Sequence, residues 1–208
     1  MKTNQSKIKN FENLILKVRK CKACERMCHR KKVLSENNGN IHSKVLFIAE
    51  APGRLGAEQT NTPLCGDKTG DNFEMFLQAI GWRREDIFIT NAILCNPQNI
   101  NGNNTTPTDD EILNCNSYLK ETLEVVNPDL IVTLGSMALL AVKKIHFHSF
   151  KLKDSVAKKQ SWNNKYLYPM YHPSPKSINL NRSLPKQLLD YMLLSAIVDP
   201  LNGLKKVG

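Results

Sequence analysis

Hydrophobic positions along the chain follow two patterns, short apolar runs typical of buried strands and longer segments with apolar residues at helical spacing. The apolar runs predict four strands, over residues 44–49, 86–92, 129–134 and 166–170. The helical spacing predicts helices over residues 6–20, 71–80, 110–126, 135–142 and 184–198. Strands that alternate with helices favour a parallel sheet covered on both faces. We therefore predict an α/β fold, a three-layer α/β/α arrangement around a central, mostly parallel four-stranded sheet.

Local signals mark where some of these helices begin and end. Thr108 and Glu111 have the form of a capping box, in which each side chain satisfies a free backbone amide, so a helix should follow them. Gly81 is expected to end the second helix. Residues 96–108 are rich in Asn, Pro and Gly and predict a loop between the second strand and the third helix.

Length and composition favour one domain. The chain has 208 residues, enough to bury a sizeable core, and shows no repeat and no linker. We expect a single domain over residues 1–208, with an N-terminal helix and cysteine-bearing loop at about 6–34. No stretch approaches the roughly 20 apolar residues that span a bilayer, and the polar amino terminus has no apolar run of a secretory signal. We therefore expect a cytoplasmic monomer that does not bind membranes.

The charge balance suggests a polyanionic partner. Lys and Arg number 29 against 19 Asp and Glu, a formal net charge of +10, and the excess is spread over several segments. Such a surface attracts nucleic acids, because neutralising phosphates releases condensed counterions. A lysine-rich, solvated surface is the alternative, and charge alone does not choose between DNA, RNA and an anionic membrane.

The six cysteines are more consistent with a metal centre than with disulfides, since thiols stay reduced in the cytoplasm. Four of them lie in segments that the fold can bring together: Cys21, Cys24, Cys95 and Cys115. Four thiolates suit zinc or an iron–sulfur cluster, and spacing does not separate the two. Unrelated buried thiols are the other possibility. Cys28 and Cys65 are left over, and Cys28 lies near enough to the first pair to replace a ligand.

Two short loops come directly after predicted strands and carry chemically useful side chains. Glu50 follows the strand over 44–49, and His172 follows the strand over 166–170, beside two prolines. In an open α/β sheet, ligands bind outside the carboxyl ends of the strands. We therefore predict that Glu50 and His172 converge on one substrate.

The motifs in and around these loops resemble, in order and spacing, those of the iron–sulfur branches of the uracil-DNA glycosylase superfamily, families 4 and 5. The matching segments are Glu50-Ala51-Pro52-Gly53, Pro63-Leu64-Cys65-Gly66-Asp67, Gly70-Asp71, Thr90-Asn91-Ala92 with Cys95, and His172-Pro173-Ser174-Pro175. The first motif resembles family 4, whereas the two Gly-Asp pairs and the stretch over 172–182 resemble family 5. The resemblance covers residues 11–197.

The resemblance implies an enzyme of base excision repair that hydrolyses the N-glycosidic bond of uracil in DNA and leaves an abasic site. It also implies a structural 4Fe-4S cluster on the four cysteines, with zinc as the less favoured occupant. Two alternatives remain. One is a glycosylase of the same fold for another deaminated or mismatched base, and the other is a catalytically weak iron–sulfur protein that binds DNA.

Cleavage of this bond passes through a cationic sugar while negative charge collects on the departing base, which must first be flipped out of the duplex. His172 is predicted to donate a hydrogen bond to a uracil carbonyl oxygen, for which a neutral imidazole suffices. Asn91 offers an amide donor and acceptor that distinguish uracil from cytosine. Glu50 is our choice for holding the attacking water, with Glu58 as runner-up. His172 could instead be a structural histidine, and Asn91 could simply cap the loop. Glu50 and Glu58 could be solvated loop residues.

The resemblance also implies substrate contacts from Ala51, Gly53 and Leu64. Relatives commonly place an aromatic ring where Leu64 stands, and aliphatic stacking on a base is weaker than aromatic stacking. Phe73 or Tyr171 could supply the missing ring. Residues of the predicted DNA-insertion loop contact phosphates or fill the gap left by the flipped base: Ser174, Ser177, Leu180 and Arg182.

Overall fold

Five strands form the central sheet of the computed structural model, which describes residues 2–205. They are β1 (Val45–Ala49), β2 (Phe88–Asn91), β3 (Leu130–Leu134), β4 (Gln160–Trp162) and β5 (Lys165–Met170). The strand order is β2-β1-β3-β5-β4, and every neighbouring pair is parallel except β4 with β5. The four predicted strands are therefore confirmed. The edge strand β4 was missed because its three residues, two of them polar, are too few to produce an apolar run.

Helices cover both faces of this sheet. The α-helices are α1 (Lys2–Arg19), α2 (Ala57–Thr60), α3 (Lys68–Ala79), α4 (Asp109–Val126), α5 (Ser136–Ile145), α6 (Leu152–Ser155), α7 (Pro175–Leu180) and α8 (Leu184–Ile197). Three 3-10 turns, Glu25–Met27, Glu36–Asn38 and Arg84–Asp86, and a hairpin of β6 (Val198–Asp199) with β7 (Gly203–Leu204) complete the elements. All five predicted helices are present, and the capping box at Thr108 is formed.

Two differences from the sequence predictions, the start of α3 and the presence of α7, have local causes. Helix α3 begins at Lys68, before the predicted start, because the Asp67 carboxylate accepts a hydrogen bond from the Gly70 amide and caps the helix. Within the stretch predicted as a loop, α7 forms because Ser174 caps it and Pro175 occupies its first position. Both caps use side chains within the motifs that carry the family resemblance.

The core is split into two layers by the sheet. Alternate side chains of β1 point to opposite faces, so that Leu46 packs with Phe11 on one side and Phe47 packs with Phe73 and Tyr191 on the other. Full burial of such side chains stabilises the fold by about 1.5–3 kcal/mol each. The three-layer architecture is therefore as predicted. Among the helices of residues 2–205, none is long and apolar enough to cross a bilayer.

The parallel register places the carboxyl ends of four strands at one edge of the sheet. Ala49 pairs with Asn91 across β1 and β2, and Leu134 pairs with Met170 across β3 and β5. The Gly135 amide donates to the Met170 carbonyl at 2.7 Å, which keeps the two chains together just beyond the strands. The loops that follow β1, β3 and β5 therefore leave the sheet side by side.

Candidate active site and cysteine centre

A cleft of about 590 Å³ lies at this edge. The predicted site residues that line it are Glu50, Ala51, Gly53, Leu64, His172, Ser174 and Ser177. The loops after β1 and β5 thus meet at one cavity, as the two loop motifs predicted. The catalytic and binding roles of these side chains stay predictions.

Glu50 is the first residue after β1 and is half-buried in the cleft wall. Burial raises the pKa of its carboxyl group, and the positive charge of Lys176 on α7 partly opposes this rise. A carboxylate with a raised pKa is a better proton acceptor than one in water. The position suits a group that orients or activates a water molecule.

The backbone at His172 is held by hydrogen bonds to its own carbonyl and to that of Pro173. Its own carbonyl accepts from Gln187 Nε2 at 3.4 Å, and the Pro173 carbonyl accepts from Asn72 Nδ2 at 2.8 Å. Burial lowers the pKa of the imidazole to about 4, although the charge of Asp67 opposes this shift. The ring is therefore neutral at pH 7, the state that the proposed donation to a uracil oxygen requires.

Leu64 lines the cleft in a left-handed backbone conformation, with φ of 50°. Such a conformation costs roughly 1–2 kcal/mol outside glycine, so neighbouring contacts must hold it. Arg84 supplies them, since its guanidinium donates to the Pro63 carbonyl at 2.7 Å and to the Leu64 carbonyl at 2.8 Å. Of the two rings considered for stacking, Phe73 is buried in the core and Tyr171 lines the cleft.

Asp67 is a cleft residue that the sequence analysis did not select. Its Oδ2 lies 2.8 Å and 2.5 Å from where a Cβ would stand on Gly53 and Gly56, so a side chain at either position would displace this carboxylate. A Cβ on Gly56 would also lie 2.8 Å from the backbone oxygen of Cys65. The signal was available, because Asp67 lies in a family-like Gly-Asp pair. Gly135 and Ser136, at the amino end of α5, also line the cleft and were missed.

Asn91 and Glu58 lie outside the set of cleft-lining residues. Asn91 is 2 % exposed, and its Nδ2 has no hydrogen-bond partner within residues 5–205. An unpaired buried donor costs about 1–3 kcal/mol and calls for a specific explanation, such as a ligand that satisfies it. Glu58 is buried and pairs with Arg30 at 3.8 Å, while its other oxygen accepts from Gln98 Nε2 at 3.4 Å.

A chain of hydrogen bonds, which we call the amide strut, runs from the cysteine-bearing segment to the loop after β1. Arg30 Nη2 donates to Gln98 Oε1 at 2.5 Å, and Gln98 Nε2 donates to Asn96 Oδ1. Asn96 Nδ2 then donates to the Pro52 carbonyl at 2.6 Å and to Asn104 Oδ1 at 2.9 Å. The shape of the cleft wall therefore depends on a residue 22 positions before Pro52.

The predicted insertion loop separates into structural and exposed residues. Ser174 lines the cleft, and its hydroxyl caps α7 by accepting from the amide of Ser177, which also lines the cleft. Leu180 is 73 % exposed at the end of α7. Arg182 instead pairs through two 2.5 Å contacts with the fully buried Asp190. Leu180 is therefore exposed to solvent, whereas Arg182 is held in an ion pair.

The cysteines gather at a second cavity. Five of them line it: Cys21, Cys24, Cys28, Cys95 and Cys115. The rest of its wall is largely apolar, and Cys65 lies elsewhere. Among residues 5–205, no three His, Cys, Asp or Glu side chains lie in an arrangement that could hold a single metal ion.

Two nearby groups hydrogen-bond to the sulfur atoms of this centre. The Leu94 amide donates to Cys115 Sγ at 3.4 Å, and Asn114 Nδ2 donates to Cys24 Sγ at 3.6 Å. Burial raises the pKa of the Cys95 thiol to about 11 and that of Cys115 to about 12. A thiol-rich, partly buried cavity with hydrogen bonds to sulfur matches the donor set that iron–sulfur clusters use.

Comparison with known proteins identifies the family of this chain. The family model described as the uracil DNA glycosylase superfamily matches residues 36–192. A type-4 uracil-DNA glycosylase of Thermotoga maritima is 32 % identical over 179 residues, which are 84 % of this chain and 86 % of the relative. A type-4 enzyme of Saccharolobus solfataricus is 31 % identical over 82 % of this chain and 78 % of its own length. A type-5 enzyme of Pyrobaculum aerophilum is 29 % identical over 76 % of this chain and 73 % of its own. With most of its length matched, this chain belongs to the uracil-DNA glycosylase superfamily.

Proposed function

We propose that this protein is a monofunctional uracil-DNA glycosylase of base excision repair, which hydrolyses the N-glycosidic bond of uracil and leaves an abasic site. The observation that carries the proposal is the meeting of Glu50 and His172 at one cleft. Its volume of about 590 Å³ falls in the range typical of small-molecule sites, roughly 300–1,000 Å³. A flipped nucleoside is a ligand of that class.

The two side chains act on opposite sides of the breaking bond, His172 at the base and Glu50 at the sugar. The neutral His172 imidazole donates an N–H to a uracil carbonyl oxygen, where negative charge grows as the bond breaks. Glu50 orients a water molecule toward the sugar C1′ and favours the cationic character of the sugar. The base leaves as its anion, and the water oxygen forms the new bond at C1′ while its proton passes to the carboxylate.

Selection of uracil is proposed to rest on Asn91, whose buried and unpaired amide donor suits an acceptor on the pyrimidine edge. Leu64, Ala51 and Gly53 form the remaining contacts with the flipped nucleotide. The exposed Leu180 fills the gap in the duplex, which offsets the few kcal/mol of lost base stacking. Glu58 could activate the water only if its ion pair with Arg30 broke.

We propose that Cys21, Cys24, Cys95 and Cys115 hold a 4Fe-4S cluster, with zinc as the less favoured occupant. The cluster would supply cross-links between distant segments of the chain. Cys28, in the same cavity, is available as a replacement ligand. The proposed setting is the cytoplasm, where thiols stay reduced, with the protein acting as a monomer on uracil-containing DNA. Brown protein absorbing near 400 nm supports the cluster, and colourless zinc protein contradicts it.

The deciding experiment uses labelled duplexes that carry a single uracil, a hypoxanthine or a G·T mismatch, followed by alkaline cleavage of abasic sites. Strand scission at uracil alone supports the proposal. Scission at hypoxanthine or at the mismatch favours the second candidate, a different base preference, for which Leu64 in place of an aromatic ring is the specific observation. Binding of these duplexes without strand scission would contradict the proposed glycosylase activity.

The matched pair Glu50→Gln and Glu58→Gln identifies the water-activating acid. Both variants remove one carboxylate with little change of shape. We expect Glu50→Gln to lose most of its turnover while binding DNA normally. Glu58→Gln leaves Arg30 without its partner and should lower stability more than turnover. The reverse pattern would transfer the role to Glu58.

A further inference from the structure

A groove of about 440 Å³ lies outside the cleft and is rich in positive charge. The residues that line it are Arg19, Arg30, Lys31, Lys32, Leu34 and Asn61. We call it the cationic groove. None of these six residues is acidic, so the groove presents a concentrated positive potential to solvent.

Most of this charge is not neutralised by the protein itself. Arg30 is paired with Glu58, but Arg19, Lys31 and Lys32 have no carboxylate partner in the described part of the chain. The two lysines are nevertheless positioned. Lys31 Nζ donates to a carbonyl of α2 at 3.1 Å, and Lys32 Nζ donates to two carbonyls of its own segment at 2.5 Å and 2.9 Å. An ammonium group has three donors, so further acceptors can still bind each of them.

The cationic groove and the cleft are lined by residues at opposite ends of one short helix. Ala57, the first residue of α2, lines the cleft, and Asn61, just after α2, lines the groove. Four residues of helix correspond to about 6 Å. Phosphates along one strand of B-DNA advance by about 3.4 Å each, so a strand that leaves the cleft reaches the groove within a few nucleotides.

We propose that the cationic groove binds the phosphodiester backbone of the DNA strand on one side of the lesion. The proposal rests on the proposed function in one respect, because it takes DNA as the ligand of the cleft. The recognition is by charge and is independent of base sequence. It extends the DNA contact beyond the insertion loop to the surface next to the cysteine centre.

The test replaces two exposed cations of the groove in one protein, Arg19→Gln/Lys31→Gln. The matched control, Lys9→Gln/Lys120→Gln, removes the same charge from exposed positions that do not line the groove. Dissociation constants for uracil-free single strands are measured over a series of salt concentrations, with one strand long enough to reach the groove and one confined to the cleft. Thermal unfolding checks that both variants are folded.

For the long strand we expect the groove variant to reduce the slope of log affinity against log salt by about 1.4, and affinity at 0.1 M salt by roughly 10- to 25-fold. The short strand and the control variant should show neither change. Equal slopes for groove and control variants would overturn the proposal, as would a loss that is the same for both strand lengths. Preferential binding of an RNA strand of the same sequence would overturn its assignment to DNA.

These outcomes are separable from the proposed function. If the unmodified protein fails to excise uracil but the groove variant still shows the length-dependent loss, the groove stands and the enzymatic proposal falls. If uracil is excised normally and the slopes are equal, only the groove proposal falls.

Discussion

Replacing His172 with Gln tests whether its imidazole is buried in the neutral form. Burial holds the folded-state pKa at about 4, against 6.5 for the free side chain. Between these values the unfolded chain binds the proton more tightly than the folded protein does. The stability that this group contributes is therefore complete above pH 6.5 and is lost as pH falls toward 4. At about 1.4 kcal/mol per pH unit, the loss reaches about 2 kcal/mol at pH 5 and about 3 kcal/mol at most.

The assay is urea unfolding of the unmodified protein and of His172→Gln at pH 7.5, 6 and 5. Gln does not titrate, so the free energy of unfolding of the unmodified protein should fall by about 2 kcal/mol relative to the variant between pH 7.5 and pH 5. Other histidines with lowered pKa, His42 and His148, are present in both proteins and cancel.

Catalysis offers an independent measurement of the same group. Because the imidazole is neutral throughout, its contribution to turnover should be constant from about pH 5.5 to 8. Loss of an oxyanion donor typically costs 10²–10³ in turnover. His172→Ala, which removes the ring N–H and supplies no other donor, should therefore lose about that much turnover while DNA affinity is nearly unchanged. Parallel stability curves for the unmodified protein and His172→Gln would refute the reasoning. So would an acid limb in turnover near pH 6.5 that the unmodified protein shows and His172→Ala does not.

Three further predictions concern the cysteine centre, the stacking position and the amide strut. Cys95→Ala should give insoluble or iron-poor protein, measured by iron content, because the centre ties distant segments together; a soluble, fully active variant would contradict this. Leu64→Phe should tighten binding of a uracil-containing strand by up to about 1–3 kcal/mol, measured by titration, since aromatic stacking is stronger; unchanged affinity would place the base elsewhere. Gln98→Met removes the amide strut without changing a cysteine, so it should lower turnover and leave iron content unchanged relative to the exposed control Gln78→Met. Equal turnover of the two variants would show that the strut does not position the cleft.

Much of the fold and the general place of the site follow from the sequence alone. The runs that became β1 and β3 are apolar at most positions because these strands are covered on both faces. Side chains just after such strands must lie at one edge of the sheet. Glu50 and His172 could therefore be placed at one edge of the sheet from the sequence alone. The order of the family-like motifs is also a property of the sequence.

The exact partners of polar side chains could not be predicted in this way. Arg182 reads as a free cation of a loop, but it pairs with the buried Asp190. Glu58 reads as a loop acid, but it is buried against Arg30, 28 residues away in the sequence. The periodicity of a sequence reports which residues are buried, and it carries no information on which buried polar groups meet.

The sequence by itself determined four of the five strands of the central sheet, the main helices and the two loops of the cleft, because these depend on local spacing and on the burial of apolar side chains. Only the tertiary structure decided which candidates reach the cleft, how the cysteine-bearing segment braces it, and where surface cations concentrate. Those features arise from contacts between segments far apart in the chain, such as Arg30 with Gln98, whose geometry is set by the packing of the whole domain.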